Sequence, residues 1–340
     1  MTIQKRKKEH VDLTVQKDVF YRKSAGFNRF DFIHNALPEI NIDEVELGKS
    51  LLGRSFSFPL FISSMTGGYS DAGPVNAQLA AFCEKHNLPL GVGSQRAMLE
   101  DPLQTKSFSV VREPAPNAFI AANIGGAQLI GDFNQSKIRA LIDSIRADAI
   151  IVHLNPLQEL MQPEGDTNFE GILKGITGLV EKAGVPVIVK ETGAGISKQA
   201  AEKLLQAGVN VIDVSGAGGT SWAKVENLRG RDDKPLNIFN DWGLPTADCI
   251  IEINDLRKNY EFEMIGSGGI RTSFDIAKAI ALGADFTATA QPILKALFNG
   301  GLNEIEQLLE QWMKETRIIL TLLGCRSFSE LNQTHLKKVE

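Results

Sequence analysis

The sequence predicts an α/β protein built as a (β/α)8 TIM barrel with an N-terminal extension. Three observations carry that expectation. Eight short apolar runs recur from Phe58 onward, and several, such as Val-Pro-Val-Ile-Val and Ala-Ile-Ile-Val, are apolar without alternation. Strands of a parallel sheet buried on both faces read this way. Stretches with apolar residues three and four apart separate the runs, so strands and helices alternate. Polar and glycine residues gather at the C-terminal ends of the runs, where a barrel places its chemistry. A doubly wound open sheet is the rival, but it has fewer strands and a single crevice.

Residues 1–57 come first and are more polar, so they are expected as an N-terminal extension packed on a barrel spanning 58–340. The expected strands are 58–65, 88–94, 118–125, 149–155, 185–191, 209–215, 262–268 and 285–291. Helices are expected over 74–86, 135–146, 169–183, 197–206, 246–259 and 273–282. Two of them carry start and stop signals, Ser197 with Gly208 and Ser273 with Gly283. The segment 101–113 is less clearly periodic. A long amphipathic stretch, 302–323, follows the last strand and stops at Gly324. Residues 227–244 form a long polar loop with Arg-Gly-Arg-Asp-Asp-Lys at 229–234, where an active-site loop would sit.

Composition narrows the function. Among 340 residues, 36 are basic and 41 acidic, for a net charge of −5 and a pI near 5.7. A strongly basic, nucleic-acid-binding protein is thereby excluded, and with 43% hydrophobic residues so is a disordered chain. Cys83, Cys249 and Cys325 stand alone, without the spacing of a disulfide framework or a structural zinc site. No apolar run is long enough to span a bilayer, and no apolar stretch follows the basic N-terminus as in a secretory signal. A cytoplasmic protein with neither membrane nor nucleic-acid partner is expected.

The ends of the eight runs carry Met65-Thr66-Gly67-Gly68, Ser94-Gln95-Arg96, Asn123, His153-Leu154-Asn155, Lys190-Glu191, Ser215 to Thr220, Gly266 to Gly269 and Ala290-Gln291. Glycine clusters after the sixth and seventh runs free backbone N–H groups to converge on a phosphate, near the place where barrels commonly hold one. Neither fits a Walker loop or Gly-x-Gly-x-x-Gly, and Gly48-Lys49-Ser50 lacks the earlier glycine of a P-loop. Lys190 closes an apolar strand, and a buried lysine needs an anionic partner or loses its proton. It is a Schiff-base nucleophile, a support for an anionic flavin at the N1/O2 edge, or one half of a structural ion pair.

His153, Asn155, Gln158 and Glu159 form the tightest constellation. Glu159 suits Mg2+, which takes few carboxylates beside phosphates and water, or is a solvated loop carboxylate. His153 is a phosphate or proton partner, or a satisfied core histidine. The basic run from Lys5 to Lys8, with His10, reads as a flexible solvated end or as a polyphosphate clamp. Trp222 and Trp242 flank the polar loop after the sixth run.

Together these segments resemble the type II, flavin-mononucleotide-dependent isopentenyl-diphosphate isomerases. The resemblance runs from Arg6 to Gln291. Its specific parts are His153-Leu-Asn155-x-x-Gln158-Glu159 and Gly218-Gly219-Thr220-Ser221-Trp222, joined by Arg6-Lys7-x-x-His10, Ser64-Met65-Thr66, Gly93-Ser94-Gln95-Arg96 and Pro163-Glu164-Gly165-Asp166. The resemblance implies that Ser64, Met65, Thr66, Ser94, Asn123 and Lys190 contact the flavin ring of FMN. It implies that Ser215, Thr220, Gly268, Gly269, Ala290 and Gln291 hold the ribityl-phosphate end. Substrate would meet Arg6, Lys7, Ser94, Gln95, Arg96 and Gln158, with His10, His153 and Asn155 lining the diphosphate site and Glu159 on Mg2+. Glu226 would lie near the reacting carbons. Gln291 is a departure, because many members carry a second small residue there.

The implied reaction interconverts isopentenyl diphosphate and dimethylallyl diphosphate by a net 1,3-proton shift, with no net oxidation. Reduced FMN would act as acid and base, its charged edge balanced by Lys190, with Gln158, His153 and Glu226 as further catalytic candidates. NADPH would serve only to reduce the flavin. A cytoplasmic homo-oligomer, tetramer or octamer, is the implied assembly. Two alternatives differ in chemistry: a flavin oxidoreductase acting on a 2-hydroxy acid, and a flavin-binding barrel without turnover.

Overall fold

Eight short parallel strands close on one another in sequence order. They are β1 (Leu60–Ile62), β2 (Leu90–Gly91), β3 (Ile120–Gly125), β4 (Ala149–Leu154), β5 (Val187–Glu191), β6 (Val211–Asp213), β7 (Glu263–Ser267) and β8 (Phe286–Thr289). Pairing of Thr287 with Leu60 joins β8 to β1 and completes the cylinder. The computed structural model describes residues 3–131, 133–230 and 235–339. Each expected strand contains one observed strand, so the barrel expectation holds.

Pleating explains why those runs read as uniformly apolar. Alternate residues point to opposite faces. Phe61, Ile151, Ile188, Val211, Ile265 and Ala288 point inward and fill the cylinder. Leu60, Ile62, Ile150, Val152, Val189 and Met264 point outward and pack under the helices. Both faces are dry, so neither parity admits polar residues along most of a strand.

Local signals set the helix ends. Ser197 accepts from Ala200 N at the start of Lys198–Gln206, and Thr272 with Asp275 forms a capping box at Ser273–Leu282. The 101–113 region is broken into Pro102–Thr105, Lys106–Ser109 and Val110–Arg112, in keeping with its poor periodicity. Three expectations need correction. The cap expected at Ser273 falls one residue earlier, at Thr272. The loop expected from 227 begins inside a helix, Trp222–Arg229. Of its Arg-Gly-Arg-Asp-Asp-Lys run, residues 231–234 lie outside the described residues. The eighth strand ends at Thr289, and a helix starts at Gln291 and runs to Leu323 across a break at Gly301.

Residues before β1 pack at both ends of the cylinder. A hairpin of Lys49–Leu51 and Arg54–Phe56 closes the N-terminal end with fully buried Leu51 and Phe56. Its turn places Leu52 in the left-handed region, at φ 53°, and the Glu263 carboxylate accepts from the Leu52 amide at 2.9 and 3.0 Å. Gly48-Lys49-Ser50 therefore belongs to this plug, at the end opposite the strand C-termini. At the other end lies a helix, Ile3–Gln16, where composition alone suggested a flexible tail. Val11 on its apolar face packs with Tyr69, Ala72 and Leu294.

Candidate active site

The same pleat parity that fills the barrel continues into its C-terminal mouth. Two residues beyond inward Phe61, Ile151, Ile188, Val211 and Ile265 stand Ser63, His153, Lys190, Asp213 and Ser267. The register pairs His153 with Lys190, and Lys190 with Asp213. The apolar filling thus ends in a polar layer facing the rim.

Two cavities open above this layer and share a wall of His10, Ser64, Met65, Lys190, Thr192 and Trp222. The first continues to the rim of β6, β7 and β8. Of the residues assigned to the cofactor, Ser215, Thr220, Gly268, Gly269, Ala290 and Gln291 line it, with Ser64, Met65 and Lys190 from the wall. Gly268 lies at φ +97°, and a Cβ there would come within 2.1 Å of the Gly216 carbonyl oxygen. Only glycine fits a chain folded this closely, and it leaves peptide N–H groups bare at the rim. The helix from Gln291 begins without a side-chain cap and carries Pro292 in its first turn. Its N-terminus faces the same cavity and favours an anion. The earlier strand end therefore has a consequence: Ala290 and Gln291 offer helix-start backbone, which tolerates a long side chain at 291.

The second cavity is lined by Arg6, Lys7, Ser94, Arg96, Asn123, Asn155, Gln158 and Glu159 together with His153. Apart from Lys190 in the shared wall, its cations come from the N-terminal helix and the short helix Arg96–Glu100. Lys7 Nζ donates to the Gly67 and Ser94 carbonyls at 2.8 and 2.6 Å. Burial, then the charges of Arg6 and Arg96, lower its pKa to about 7. Arg96 bonds Glu100 at 2.7 Å and Asp166 at 3.1 Å. His10 packs edge-on to Trp222, with ring centroids 5.0 Å apart.

His153 Nδ1 lies 2.8 Å from Asn123 Oδ1, and Asn123 Nδ2 donates to Ser64 Oγ at 2.8 Å. This chain assigns the proton to Nδ1 and leaves Nε2 an acceptor. Burial, then Lys190 and Lys7, depress the His153 pKa to about 3, so the ring is neutral. Lys190 Nζ donates to the Glu191 carbonyl at 2.6 Å. It forms no ion pair among the described residues, and the Asp213 carboxylate accepts from Ser267 Oγ and Ser215 N instead. The lysine charge still reaches the Asp213 and Glu191 carboxyls and partly offsets the burial that pushes both up, without a direct pair.

Glu159 is not a solvated loop carboxylate. It sits on the helix Pro156–Met161, is 9% exposed, and accepts from Asn155 Nδ2, Gln162 Nε2 and the Asp166 amide at 2.9, 3.1 and 2.8 Å. A Cβ on Gly165 would meet the Glu159 carbonyl oxygen at 1.9 Å, which is why glycine precedes Asp166. Glu226 is 1% exposed and sits 2.8 Å from His10 Nε2, whose N–H is not aligned for a hydrogen bond. Gln158 Nε2 donates to Glu226 at 3.2 Å, and Arg229 pairs with its other oxygen. Burial pushes the Glu226 carboxyl up, but His10, Arg229 and Gln158 outweigh it and hold it below the usual range.

Three assigned residues line neither cavity: Gln95, Thr66 and Glu226, the last reaching the second cavity only through His10 and Gln158. Gln95 is fully buried; it donates to the Leu141 carbonyl and Ser144 Oγ at 3.0 and 3.1 Å and accepts from the Asn123 amide at 3.0 Å. It supports the site from below, because its backbone follows Ser94 into the strand–helix turn and its side chain takes the opposite face. The Thr66 hydroxyl is turned to Asn76 Oδ1. Ser94 and Asn123, assigned to the flavin, line the second cavity and not the first. Unforeseen are Phe20, Thr192 and Arg271, which line the first cavity, with Arg271 stacked 4.3 Å above the Phe20 ring. Arg271 had a signal, a cation directly after Gly-Gly-Ile; Phe20 had none. Arg229 also went unassigned.

Residues 155–338 match the family profile of FMN-dependent dehydrogenases. Curated relatives named isopentenyl-diphosphate delta-isomerase match almost end to end. The Chlorobium limicola protein is 45% identical, covering 97% of this chain and 95% of the relative. The Nostoc sp. protein is 42% identical over 97% and 93%. Among solved structures, a Pediococcus acidilactici lactate oxidase superposes with a TM-score of 0.72 at 16% identity, covering 99% of this chain and 93% of that one. A flavocytochrome b2 variant superposes with a TM-score of 0.70 at 18% identity, over 97% and 82%. These two similarities concern the fold alone.

Proposed function

The chain belongs to the isopentenyl-diphosphate delta-isomerase family, within the FMN-dependent dehydrogenases, and we propose that it interconverts isopentenyl and dimethylallyl diphosphate with reduced FMN and Mg2+. One observation carries the reading: a glycine-lined cavity with a helix start at its far end shares a wall with a cation-lined cavity holding one carboxylate. The first suits a flavin with its phosphate on Gly268, Gly269, Ala290 and Gln291. The second suits a diphosphate bridged by a metal.

The donor sets fit both groups. At the first, the glycine cradle and uncapped helix N-terminus favour a phosphate dianion. At the second, Glu159 Oε1 accepts one hydrogen bond and Oε2 accepts two. A lone pair remains on Oε1 for Mg2+, which commonly takes one or two carboxylates with phosphates and water. No group of three His, Cys, Asp or Glu side chains that could hold a metal occurs among the described residues, so a metal held by Glu159 would take substrate phosphates and water as its other ligands.

Bound in reduced form, the flavin supplies an acid and base beside the alkene. The protein's part is placement. Arg6, Lys7 and Arg96 offset the diphosphate charge, with His10 beside them, and that remote binding holds the small apolar tail against the shared wall. Met65 and Trp222 line the wall and keep water off the reacting carbons. Lys190, which makes no direct ion pair among the described residues, would balance negative charge at the flavin edge. Gln158 is held at both ends of its amide, by Asn155 and Glu226. Glu226 is ionised, which suits accepting a proton or orienting Gln158 and His10, not donating one. Neutral His153 offers Nε2 as an acceptor.

NADPH as a separate flavin reductant, a cytoplasmic setting and a homo-oligomer complete the proposal; the three buried free cysteines suit a reducing compartment. Reduced holoprotein incubated without oxygen, with isopentenyl diphosphate and Mg2+, should yield dimethylallyl diphosphate by NMR. Reduced, flavin-loaded protein that forms none overturns the reading. Oxidation of one nicotinamide per product overturns the redox-neutral mechanism.

A further inference from the structure

We propose that Arg229 is a positioning residue that registers three separate site-bearing segments. Its side chain is 3% exposed and, among the described residues, meets three carboxylates. Nε lies 3.4 Å from Glu9 on the N-terminal helix, and one terminal nitrogen lies 2.8 Å from Glu164 in the loop after Pro156–Met161. The other pairs with Glu226 on its own helix, Trp222–Arg229. Each partner belongs to a segment that supplies the second cavity. Glu9 sits between Lys7 and His10. Glu164 precedes Gly165 and Asp166, and the Asp166 amide bonds Glu159. Glu226 touches His10 and Gln158.

A planar guanidinium presents its donors in a fixed fork, so one side chain can set three carboxylates at defined angles, which a lysine cannot. By holding one Glu226 oxygen, Arg229 turns the other toward His10 and Gln158. By holding Glu9, it docks the helix that carries Arg6, Lys7 and His10. Without it, Glu226 would be a buried charge free to rotate, and the arm would lose a buried anchor.

The test uses FMN-loaded protein carrying Arg229→Gln, Arg229→Lys or Glu9→Gln, and the Arg229→Gln/Glu9→Gln double variant. Two readouts are taken: the rate of tryptic cleavage in the arm at Lys5 to Lys8, and kcat and KM for the isomerase reaction. Arg229→Gln should speed arm cleavage at least fivefold, raise KM at least tenfold and lower kcat at least tenfold, while keeping its flavin. Arg229→Lys should fall between it and the parent. Glu9→Gln should move KM and cleavage more than kcat, and the double variant should cleave no faster than Arg229→Gln alone. Parental cleavage and KM in Arg229→Gln, additive effects in the double variant, or uniform loss of flavin in all of them would each overturn the proposal. The kinetic arm rests on the isomerase reading. Cleavage does not, so a parent without isomerase activity would sink that reading and leave the arm result standing.

Discussion

His153 and Lys190 stand in register on neighbouring strands, with side chains on the same inward face of the barrel. The ring is buried, and the lysine charge beside it makes a second cation costly, so His153 stays neutral with a pKa of about 3. Ligand-free protein should therefore show one neutral imidazole, protonated at Nδ1, throughout pH 5 to 8 by nitrogen-15 NMR. A ring that titrates near its ordinary value would mean the side chain lies elsewhere.

Lys7 makes substrate capture pH-dependent. With its pKa lowered to about 7, the free enzyme loses the Lys7 cation as pH rises through that value. Because kcat/KM reports the free enzyme, it should fall above about pH 7. The stability linkage runs the other way. Between about 7 and the ordinary lysine value the unfolded chain binds more protons than the folded one, so this residue's contribution rises with pH and is lost as pH falls through the window. Lys7→Met should abolish the fall in kcat/KM and raise KM about tenfold or more, the scale of a charge-assisted hydrogen bond of about 1.5–3 kcal/mol. A descending limb kept in Lys7→Met would assign it to another group.

Gln95 separates support from contact. Its buried amide accepts from the Asn123 amide and shares the Leu141 carbonyl with Ser144 Oγ, so its loss strands the Asn123 N–H, at about 1–3 kcal/mol. Gln95→Leu should lower unfolding stability by about 1–3 kcal/mol on that basis, with KM little changed. Unchanged stability with a large rise in KM would show that the side chain reaches substrate.

Glu159→Gln keeps the shape of the carboxylate and removes its charge. The Mg2+ concentration needed for half-maximal activity should rise about tenfold or more, as expected when a hard cation loses a carboxylate ligand. Bound flavin should keep its absorbance, because Glu159 lines the second cavity and not the first. Flavin loss in this variant would place the residue wrongly.

The strands were legible because burial on both faces leaves a local mark, an unbroken apolar run ending in polar residues or glycine. Most cavity-lining residues were legible for the same reason: they follow the runs directly, as Lys190 follows Val187–Val189 and His153 follows Ile150–Val152. The misreadings share a cause too. Gln95 and Thr66 lie beyond the regular pleat, where the chain turns and strand parity no longer says which way a side chain points.

By itself, then, the sequence determined the closed parallel barrel, its polar rim and its glycine-rich corner, since each depends on residues close together in the chain. Tertiary structure alone decided which side chains share a cavity and which charges survive there. Arg229 meets Glu9 across 220 positions and Glu164 across 65, and no periodicity spans such gaps. The neutrality of His153 likewise comes from burial and from lysines on other segments, set by how the strands and the N-terminal helix close around it.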